Sequence, residues 1–420
     1  MSDRLAINGG DSVIDQSSAR FEWPKIDSEA EKAVLGQLHT SISIYDRSGV
    51  IEEFEEAFSK YHKREYGLLS NSGTSAIFSM DEAINLQPGD EVMCPVYTFH
   101  ATVSPMMYMG AVPIFCDSDD EGNMSFESLK SKLTNKTKAV IVTHMWGVPV
   151  RDIEKIKDFC EKNMLILLED CSHAHGASIY GRKVGSFGDA ASWSLQGPKI
   201  ISGGEGGIML TDNKNIYSRA LLQGHYNKRP LQEIDKDNPL RDYSLTGLGL
   251  KLRSHPLAVA LALQQFRHLD EFIIQKQKYA ELFNEALSAY EFITVPEIKP
   301  NVQNSWYAYN FKFNPEAAYG ISREEYVDAL VAEGLVEVDI PGSTGVINEL
   351  PLFTNPEKII GRMYHGPLVK QTGFTNAVKF QNSIIKLPVW ATSNDINIVH
   401  AYIKGITKVS NYIRKNKSLR

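Results

Sequence analysis

One lysine, Lys199, stands between two short apolar runs and beside a glycine cluster in the stretch 192–207. A lysine amine held in place by the fold becomes a covalent reagent, because it forms a Schiff base with an aldehyde. Most of the 44 lysine and arginine residues must be solvated surface charge, which is the simpler interpretation of any one of them. The rest of the chain therefore has to supply the reason to treat Lys199 as a catalyst.

Asp170 is an acidic residue in an unusual position, because it directly follows the apolar run that begins at Leu165. Burying such a group is costly unless a cation or hydrogen-bond donors meet it, so Asp170 predicts a partner. His173 and His175 follow, and two histidines at this spacing without a third ligand nearby make a poor metal site. We expect a stacking or hydrogen-bonding role for them and no metal.

The stretch 66–77 predicts a short strand, a turn of small polar residues and a helix. Backbone N–H groups at a helix start, with serine and threonine hydroxyls among them, bind phosphate without a basic side chain. A plain helix cap is the alternative interpretation. No Gly-Lys-Ser/Thr sequence closes the turn, which excludes a nucleoside-triphosphate loop.

Short apolar runs separated by helix-like spans must position these residues. They cover 91–95, 111–116, 139–143 and 165–169, and a further strand is predicted over 190–195. Repeated βα units predict a mostly parallel sheet covered by helices, with the ligand at the carboxyl ends of the strands. Phe99, Asp170 and Lys199 each follow such a run. Phe99 would stack on a planar ligand, although loop aromatics more often pack in a core.

The stretch 27–31 is predicted to open a helix and 49–62 to form a second one, and one long helical pattern runs from Ser254 toward Tyr290. This pattern bridges to a smaller α+β unit with strands over 306–313 and 384–390 and a helix over 323–334. We therefore expect a large cofactor-binding domain at 1–265, including an N-terminal arm, and a small C-terminal domain at 266–420. The basic tail 414–420 is expected to be a frayed, solvated end.

Composition narrows the class of protein. The 420 residues include 43% hydrophobic and 23% charged residues, as in ordinary soluble proteins. A net charge of −7 argues against nonspecific nucleic-acid binding. The 4 scattered cysteines fit reduced thiols, and neither an export signal nor a long apolar run is present, so we expect a cytoplasmic protein without a membrane span.

Together the chain offers a phosphate cradle, a flat aromatic ring, an acid in an apolar setting and a lysine, in that order. Pyridoxal 5'-phosphate needs each of these. Its phosphate must be anchored, its ring sandwiched, its pyridinium nitrogen paired with a carboxylate and its aldehyde bonded to a lysine.

These motifs resemble the DegT-type (DegT/DnrJ/StrS) sugar aminotransferases, pyridoxal-phosphate enzymes with the type I aminotransferase fold. The resemblance spans nearly the whole chain, and the order and spacing of its motifs are more specific than any one of them. They are found at 6–10, 71–76, 95–102, 169–176, 185–189, 194–207 and 249–256. The fold class implied is α/β, with a mostly parallel central sheet in a large domain and a smaller α+β C-terminal domain.

The resemblance also implies a role for individual residues. Gly73, Thr74 and Ser194 would hold the phosphate, Phe99 would stack on one ring face, and His173 would lie close to the ring. Asp170 would pair with the pyridine nitrogen and Lys199 would form the internal aldimine. Gln196 falls where the family places a polar residue near the cofactor.

Two departures leave the substrate open. Where many relatives have Asn-x-Arg, with the asparagine reaching the phosphate of the neighbouring subunit, this chain has Lys251-Leu252-Arg253. Lys251 would bind phosphate or an anionic substrate. The charged segment 225–241 does not resemble that of the nucleotide-sugar enzymes.

The activity implied is transfer of an amino group from glutamate or glutamine to a keto sugar or keto cyclitol, with ping-pong kinetics. The reaction would belong to the biosynthesis of an amino sugar, a surface glycan or a secondary metabolite. A homodimer with shared active sites is implied, with no nucleic-acid or membrane partner. A pyridoxal-phosphate dehydratase or lyase is the first alternative, although histidine replaces the lysine in that branch; a noncatalytic sensor is the second.

Overall fold

The computed structural model describes residues 4–15, 20–361, 364 and 371–419. Its strands form one large sheet and several small ones. In chain order the strands are β1 Tyr66–Ser70, β2 Glu91–Pro95, β3 Tyr97–Phe99, β4 Val112–Cys116, β5 Thr137–Thr143, β6 Ile166–Asp170, β7 Ser178–Ile179, β8 Arg182–Lys183, β9 Ala190–Ser194, β10 Gly207–Thr211, β11 Ile293–Thr294, β12 Val302–Gln303, β13 Ala308–Phe313, β14 Thr344–Val346 and β15 Ile384–Pro388.

Helices cover both faces of the large sheet and surround the smaller ones. In chain order they are α1 Ser28–Thr40, α2 Gly49–His62, α3 Gly73–Ala83, α4 Phe126–Ser131, α5 Ile153–Lys162, α6 Lys214–Gly224, α7 Lys228–Glu233, α8 Pro256–Arg267, α9 Leu269–Leu287, α10 Arg323–Ala332, α11 Pro351–Thr354, α12 Glu357–Ile360, α13 Thr375–Ser383 and α14 Ile396–Asn416.

The large sheet has seven strands in the order β1-β10-β9-β6-β5-β2-β4, and β10 is the one strand of the seven that runs against the others. Its central strands are buried on both faces, which is why they appear in the sequence as continuous apolar runs. The carboxyl ends of β6 and β9 therefore lie side by side, and the register pairs Asp170 with Ser192. The predicted α/β class with a mostly parallel sheet is confirmed.

A second, three-stranded sheet has the order β11-β13-β15 and is antiparallel throughout. An apolar cluster joins this sheet to α9, α10 and α14. Leu5 and Ile14, near the start of the chain, are buried in the same cluster. The N-terminal segment is therefore anchored to the C-terminal sheet.

A short antiparallel pair links the two parts of the chain. Strand β14 pairs with β3, which follows β2 of the large sheet, and Thr344 lies opposite Phe99. Asp339 lies opposite Lys386 of β15, and their backbones exchange hydrogen bonds of 3.0 and 2.8 Å. Residues 339–344 thus form a connection between the second sheet and β3, here called the strap.

Local sequence signals explain the helix starts that position the site. Asp27 accepts hydrogen bonds from Glu29 and Ala30 and so caps α1, and Ser72 accepts one from Ser75 and caps α3. The predicted helix over 49–62 is confirmed as α2.

Two predictions were wrong in detail. The long helix from Ser254 toward Tyr290 is two helices, α8 and α9, which meet at His268. The tail is not frayed along its whole length, because α14 continues to Asn416 and the carbonyl of Leu419 accepts a 2.6 Å hydrogen bond from Asn8. Among the described residues, no helix has the length and apolar character needed to cross a bilayer.

Candidate active site

A cavity of about 500 Å³ lies between the carboxyl end of the large sheet, the N-terminus of α3, the strap and the second sheet. Almost all of the residues that the sequence singled out line it together. These are Gly73, Thr74, Phe99, Asp170, His173, Ser194, Gln196 and Lys199. Chain positions far apart in sequence therefore meet around one space.

Lys199 follows β9 after a tight loop, in which its backbone N–H donates to the carbonyl of Gln196 at 2.9 Å. The indole N–H of Trp23 donates to the carbonyl of Lys199 at 2.7 Å, which fixes this backbone from the N-terminal side. Burial lowers the pKa of Lys199 from 10.5 to about 8, and the charge of Asp170 acts in the opposite direction. A reactive neutral amine is thus accessible near neutral pH.

Asp170 ends β6 and is 4% exposed. Its Oδ2 accepts a 2.7 Å hydrogen bond from the hydroxyl of Thr102, and its Oδ1 accepts a 3.0 Å bond from the backbone N–H of Ser172. The partner predicted for Asp170 is therefore a pair of hydrogen-bond donors, which hold the carboxylate in one orientation at the cavity wall.

Three threonines that the sequence analysis missed connect this carboxylate to neighbouring strands. Thr102 lies 2.9 Å from the hydroxyl of Thr98, which is 3.2 Å from that of Thr143. All three line the cavity. Threonine hydroxyls carry no spacing signal, so no pattern in the sequence could have identified them.

The N-terminus of α3 fits a phosphate. The first-turn N–H groups of Gly73 and Thr74 have no carbonyl within their own helix to bond, as at every helix start. Gly73 also packs tightly against Ser194, because a Cβ at position 73 would lie 2.6 Å from the Cβ of Ser194. Ser194 is thereby brought to the same end of the cavity as the helix start.

The rings of Phe99, His173 and Tyr307 also line the cavity. Phe99, at the end of β3, is 39% exposed and borders the cavity. The His173 ring lies parallel to Tyr307, with centroids 4.1 Å apart and an angle of 9°. Burial lowers the pKa of His173 well below 6.5, and its Nδ1 has no hydrogen-bond partner among the described residues. His173 is therefore a neutral ring with a free polar atom.

Tyr307 is a site residue that the sequence analysis did not identify. The predicted strand over 306–313 begins only at Ala308, and Trp306 has a φ of 52° that breaks the alternation. Trp306 and Tyr309 are buried, whereas Tyr307 lines the cavity with the Lys199 ammonium 4.6 Å from its ring centroid. The backbone reversal that redirects this ring has no sequence signature.

A buried cluster behind Asp170 has the composition of a metal site, with His144, Glu169 and Cys171 close together. The ring nitrogens of His144 and the carboxylate of Glu169 already have partners. His144 Nδ1 accepts from Val150, so its Nε2 carries the proton and donates to Glu169 at 3.0 Å. Glu169 also accepts three backbone N–H groups from the turn 185–188. These hydrogen bonds hold Glu169, a residue of β6, in place, so the cluster has a structural role.

Lys251 is exposed and does not line the cavity of its own chain. Arg253, two residues later, lies over the ring of Tyr45 at 4.9 Å. Several apolar side chains near this stretch are exposed, namely Tyr45, Tyr243, Leu245, Leu248 and Leu250. We call this group the 45/243–250 surface.

The residues present fit pyridoxal 5'-phosphate: a helix start and two hydroxyls for the phosphate, a donor-anchored carboxylate, flanking rings and an amine of lowered pKa. The fold is the type I fold of pyridoxal-phosphate-dependent enzymes. The chain belongs to the DegT/DnrJ/EryC1/StrS aminotransferase family, whose sequence profile matches residues 24–400. It is accordingly a pyridoxal-phosphate-dependent aminotransferase.

Two curated relatives illustrate the match. A Micromonospora echinospora protein, provisionally assigned as an L-glutamine:3-amino-2,3-dideoxy-scyllo-inosose aminotransferase, is 28% identical over 92% of this chain and 94% of its own. GDP-perosamine synthase of Escherichia coli O157:H7 is 33% identical over 62% of this chain and 69% of its own.

Solved structures share the fold. An aminotransferase from Psychrobacter cryohalolentis superimposes with a TM-score of 0.81 at 22% identity, covering 94% of this chain and 99% of that one. GDP-4-keto-6-deoxy-D-mannose-3-dehydratase of E. coli, solved with hydrated pyridoxal phosphate, gives 0.77 at 21% identity, covering 91% and 97%. Aminotransferases and a dehydratase thus share this scaffold.

Proposed function

We propose that this aminotransferase moves an amino group from an amino acid, glutamate or glutamine, to the carbonyl of a keto sugar or keto cyclitol. The observation that carries the proposal is the meeting of Lys199, Asp170 and the α3 N-terminus around one cavity. The acceptor class rests on the relatives, which include both a cyclitol aminotransferase and a nucleotide-sugar enzyme.

Pyridoxal phosphate, when bound, supplies an aldehyde that takes up an amino group and a ring that withdraws electrons from the bond to be broken. In this proposal Gly73, Thr74 and Ser194 bind its phosphate, and Asp170 keeps a proton on its ring nitrogen. Phe99 and His173 cover the ring, and Gln196 provides a further polar contact.

Lys199 has two tasks in the proposal. Its amine would bond the cofactor's aldehyde in the resting protein, and once the amino donor has freed it, the amine would move a proton from the donor's α-carbon to the cofactor. A pKa of about 8 suits both tasks, since the amine accepts and releases a proton near neutral pH. Release of a keto acid before the acceptor binds gives ping-pong kinetics.

A homodimer with shared active sites is part of the proposal. The 45/243–250 surface is apolar and exposed, as expected of a face that a second copy covers. Lys251 lies beside it, so the proposal assigns its ammonium to the cofactor or an anionic substrate in the partner's cavity. Sedimentation of the wild type and of Leu245→Glu checks the dimer.

The test is a visible-absorbance titration of the purified protein with pyridoxal phosphate, followed by borohydride trapping and peptide mapping. We expect a lysine-linked cofactor band and an adduct on Lys199. Lys199→Ala should lose both, whereas Lys183→Ala, which alters a lysine bonded to the carbonyl of Gly176, should keep them. A band that survives in Lys199→Ala disproves the assignment.

Adding glutamine or glutamate alone separates transaminase from dehydratase or lyase. A transaminase converts the cofactor to its aminated form and releases one equivalent of keto acid. Failure of every common amino acid to do so, in protein with a normal cofactor band, would favour the dehydratase or lyase. A protein that never forms the band would be a noncatalytic binding protein.

A further inference from the structure

The cavity contains a second lysine with no role in cofactor binding. Among its described lining residues the cationic side chains are Lys199 and Lys386, and the anionic ones are Asp170, Glu205 and Asp339. Lys386 belongs to β15 of the second sheet, whereas the phosphate-binding helix start follows β1 of the large sheet. The two parts of the chain thus bring separate anion-binding groups to one space.

Lys386 is held in position by the strap. Its Nζ lies 2.9 Å from Oδ2 of Asp339, and the two residues also exchange backbone hydrogen bonds. The Lys386 side chain is 28% exposed and that of Asp339 is 54% exposed, so the pair is in contact with solvent at the cavity wall. An ammonium has three protons and the single carboxylate does not occupy all of them.

The charge of Lys386 reaches the centre of the site. Burial is the main cause of the lowered pKa of His173, and Lys199 and Lys386 both add to it. His173 stacks on Tyr307, and the Lys199 ammonium faces the same tyrosine ring. Both lysines therefore lie within electrostatic range of this His173–Tyr307 pair.

We propose that the Lys386 ammonium binds the α-carboxylate of the amino donor. This inference rests on the proposed transamination. An amino acid whose nitrogen reacts beside Lys199 carries its carboxylate one carbon away, and that anion needs a cation on the cavity wall. Lys199 is engaged in the reaction itself, and Lys386 is the other cationic side chain among the described lining residues.

Asp339 has a complementary part in this arrangement. It neutralises and orients Lys386 while no carboxylate is bound, and it opposes an incoming anion. Donors with an α-carboxylate should be selected over amines without one, because only the carboxylate binds the ammonium protons that Asp339 leaves free.

The experiment measures the first half-reaction alone, with cofactor-loaded protein and no acceptor. The donors are L-glutamine and 4-aminobutanamide, which is glutamine without its α-carboxylate. The variants are Lys386→Gln, Lys386→Arg and Asp339→Asn. Lys312→Gln is the matched control, since Lys312 lies on the adjacent strand β13 of the same sheet and does not line the cavity.

We expect Lys386→Gln to raise the glutamine concentration at half-saturation about tenfold or more, with a much smaller change for 4-aminobutanamide. Lys386→Arg should recover most of the loss. Asp339→Asn should lower the half-saturating concentration, because it keeps the cation and removes its anionic competitor. Lys312→Gln should match the wild type.

A binding measurement on cofactor-free protein gives an independent readout. In phosphate buffer, which supplies an anion for the α3 N-terminus, 2-oxoglutarate should raise the melting temperature of the wild type and Lys312→Gln but not of Lys386→Gln. Should Lys386→Gln fail to fold, Lys386→Arg and Asp339→Asn still decide the matter, and a raised half-saturating concentration in Asp339→Asn would contradict the proposal.

Failure of this inference differs from failure of the proposed function. If the wild type reacts with glutamine and Lys386→Gln does so with the same half-saturation, Lys386 does not bind the donor while transamination stands. A wild type that reacts with no amino acid refutes the transamination itself.

Discussion

Thr102 donates a 2.7 Å hydrogen bond to Asp170, from a short 3-10 turn after β3 to the end of β6. The two residues belong to different strand ends, so this bond fixes the carboxylate relative to the wall that carries Phe99. The other carboxylate oxygen of Asp170 accepts a hydrogen bond from the backbone N–H of Ser172. Asp170 is therefore anchored from two directions.

Replacement of Thr102 by valine should weaken cofactor binding without abolishing it. The change removes one of two donors to Asp170 and keeps the side-chain shape, so we expect the dissociation constant for pyridoxal phosphate to rise about threefold to tenfold. Absorbance titration measures it. Thr98→Val, one hydrogen bond further away, should have a smaller effect, and an equal loss in both variants would mean that the network acts through packing.

Replacement of Gly73 by alanine should damage the phosphate end of the site. Its Cβ would lie 2.6 Å from that of Ser194, so α3 or β9 must shift. We expect affinity for pyridoxal phosphate to fall at least about tenfold, with affinity for pyridoxal, which lacks the phosphate, much less affected. Gly197→Ala is the control, because the nearest atom there is 4.0 Å away.

Capture of the cofactor by Lys199 should depend on pH. The reacting species is the neutral amine, and since the pKa is lowered from 10.5 to about 8, that form prevails above about pH 8. The rate of band formation at saturating cofactor should therefore rise with pH and reach half its maximum near pH 8. Stopped-flow absorbance checks this.

The negative charge of Asp170 gives a second check on the pH dependence of band formation. Asp170 raises the pKa of Lys199 against the larger effect of burial. Asp170→Asn should therefore shift the midpoint to lower pH. A shift to higher pH would show that the aspartate acts on Lys199 by another route.

Replacement of Arg229 by methionine should destabilise the fold strongly. Arg229 is buried, its guanidinium donates to both oxygens of Glu55 at 2.9 and 3.0 Å, and it also bonds Glu233 at 2.7 Å. Leaving Glu55 with an incomplete set of partners inside the protein should cost about 3–5 kcal/mol, measured by urea unfolding. Arg267→Met, which breaks an exposed pair with Glu53, should cost under about 1 kcal/mol.

The sequence located those site residues that lie near the ends of strands or the starts of helices. Lys199, Asp170 and Gly73 each stand where a strand ends or a helix begins, and hydrophobic patterning identifies such points. The helix predicted within 66–77 begins at Gly73, and the strand ends at Asp170 and Ser194 lie within one residue of the predicted ends.

The remaining site residues depend on long-range folding. Thr102 and Lys386 are ordinary residues until the chain brings Thr102 to Asp170 and Lys386 to the cavity wall. Tyr307 reaches the cavity through the positive φ of Trp306, which no composition predicts. The charged segment 225–241 was singled out as a departure from the nucleotide-sugar enzymes, and Arg229 within it is directed inward to Glu55. The sequence alone does not tell whether a charged side chain will be buried or exposed.

The pairing of β14 with β3 has a consequence for how the protein is made. The wall that carries Phe99 emerges from the ribosome early, while the strand opposite it, with Thr344, follows much later in the chain. Lys386 arrives later still. A nascent chain that has completed the large sheet would therefore expose an open cavity edge, and the site would close only near the end of synthesis.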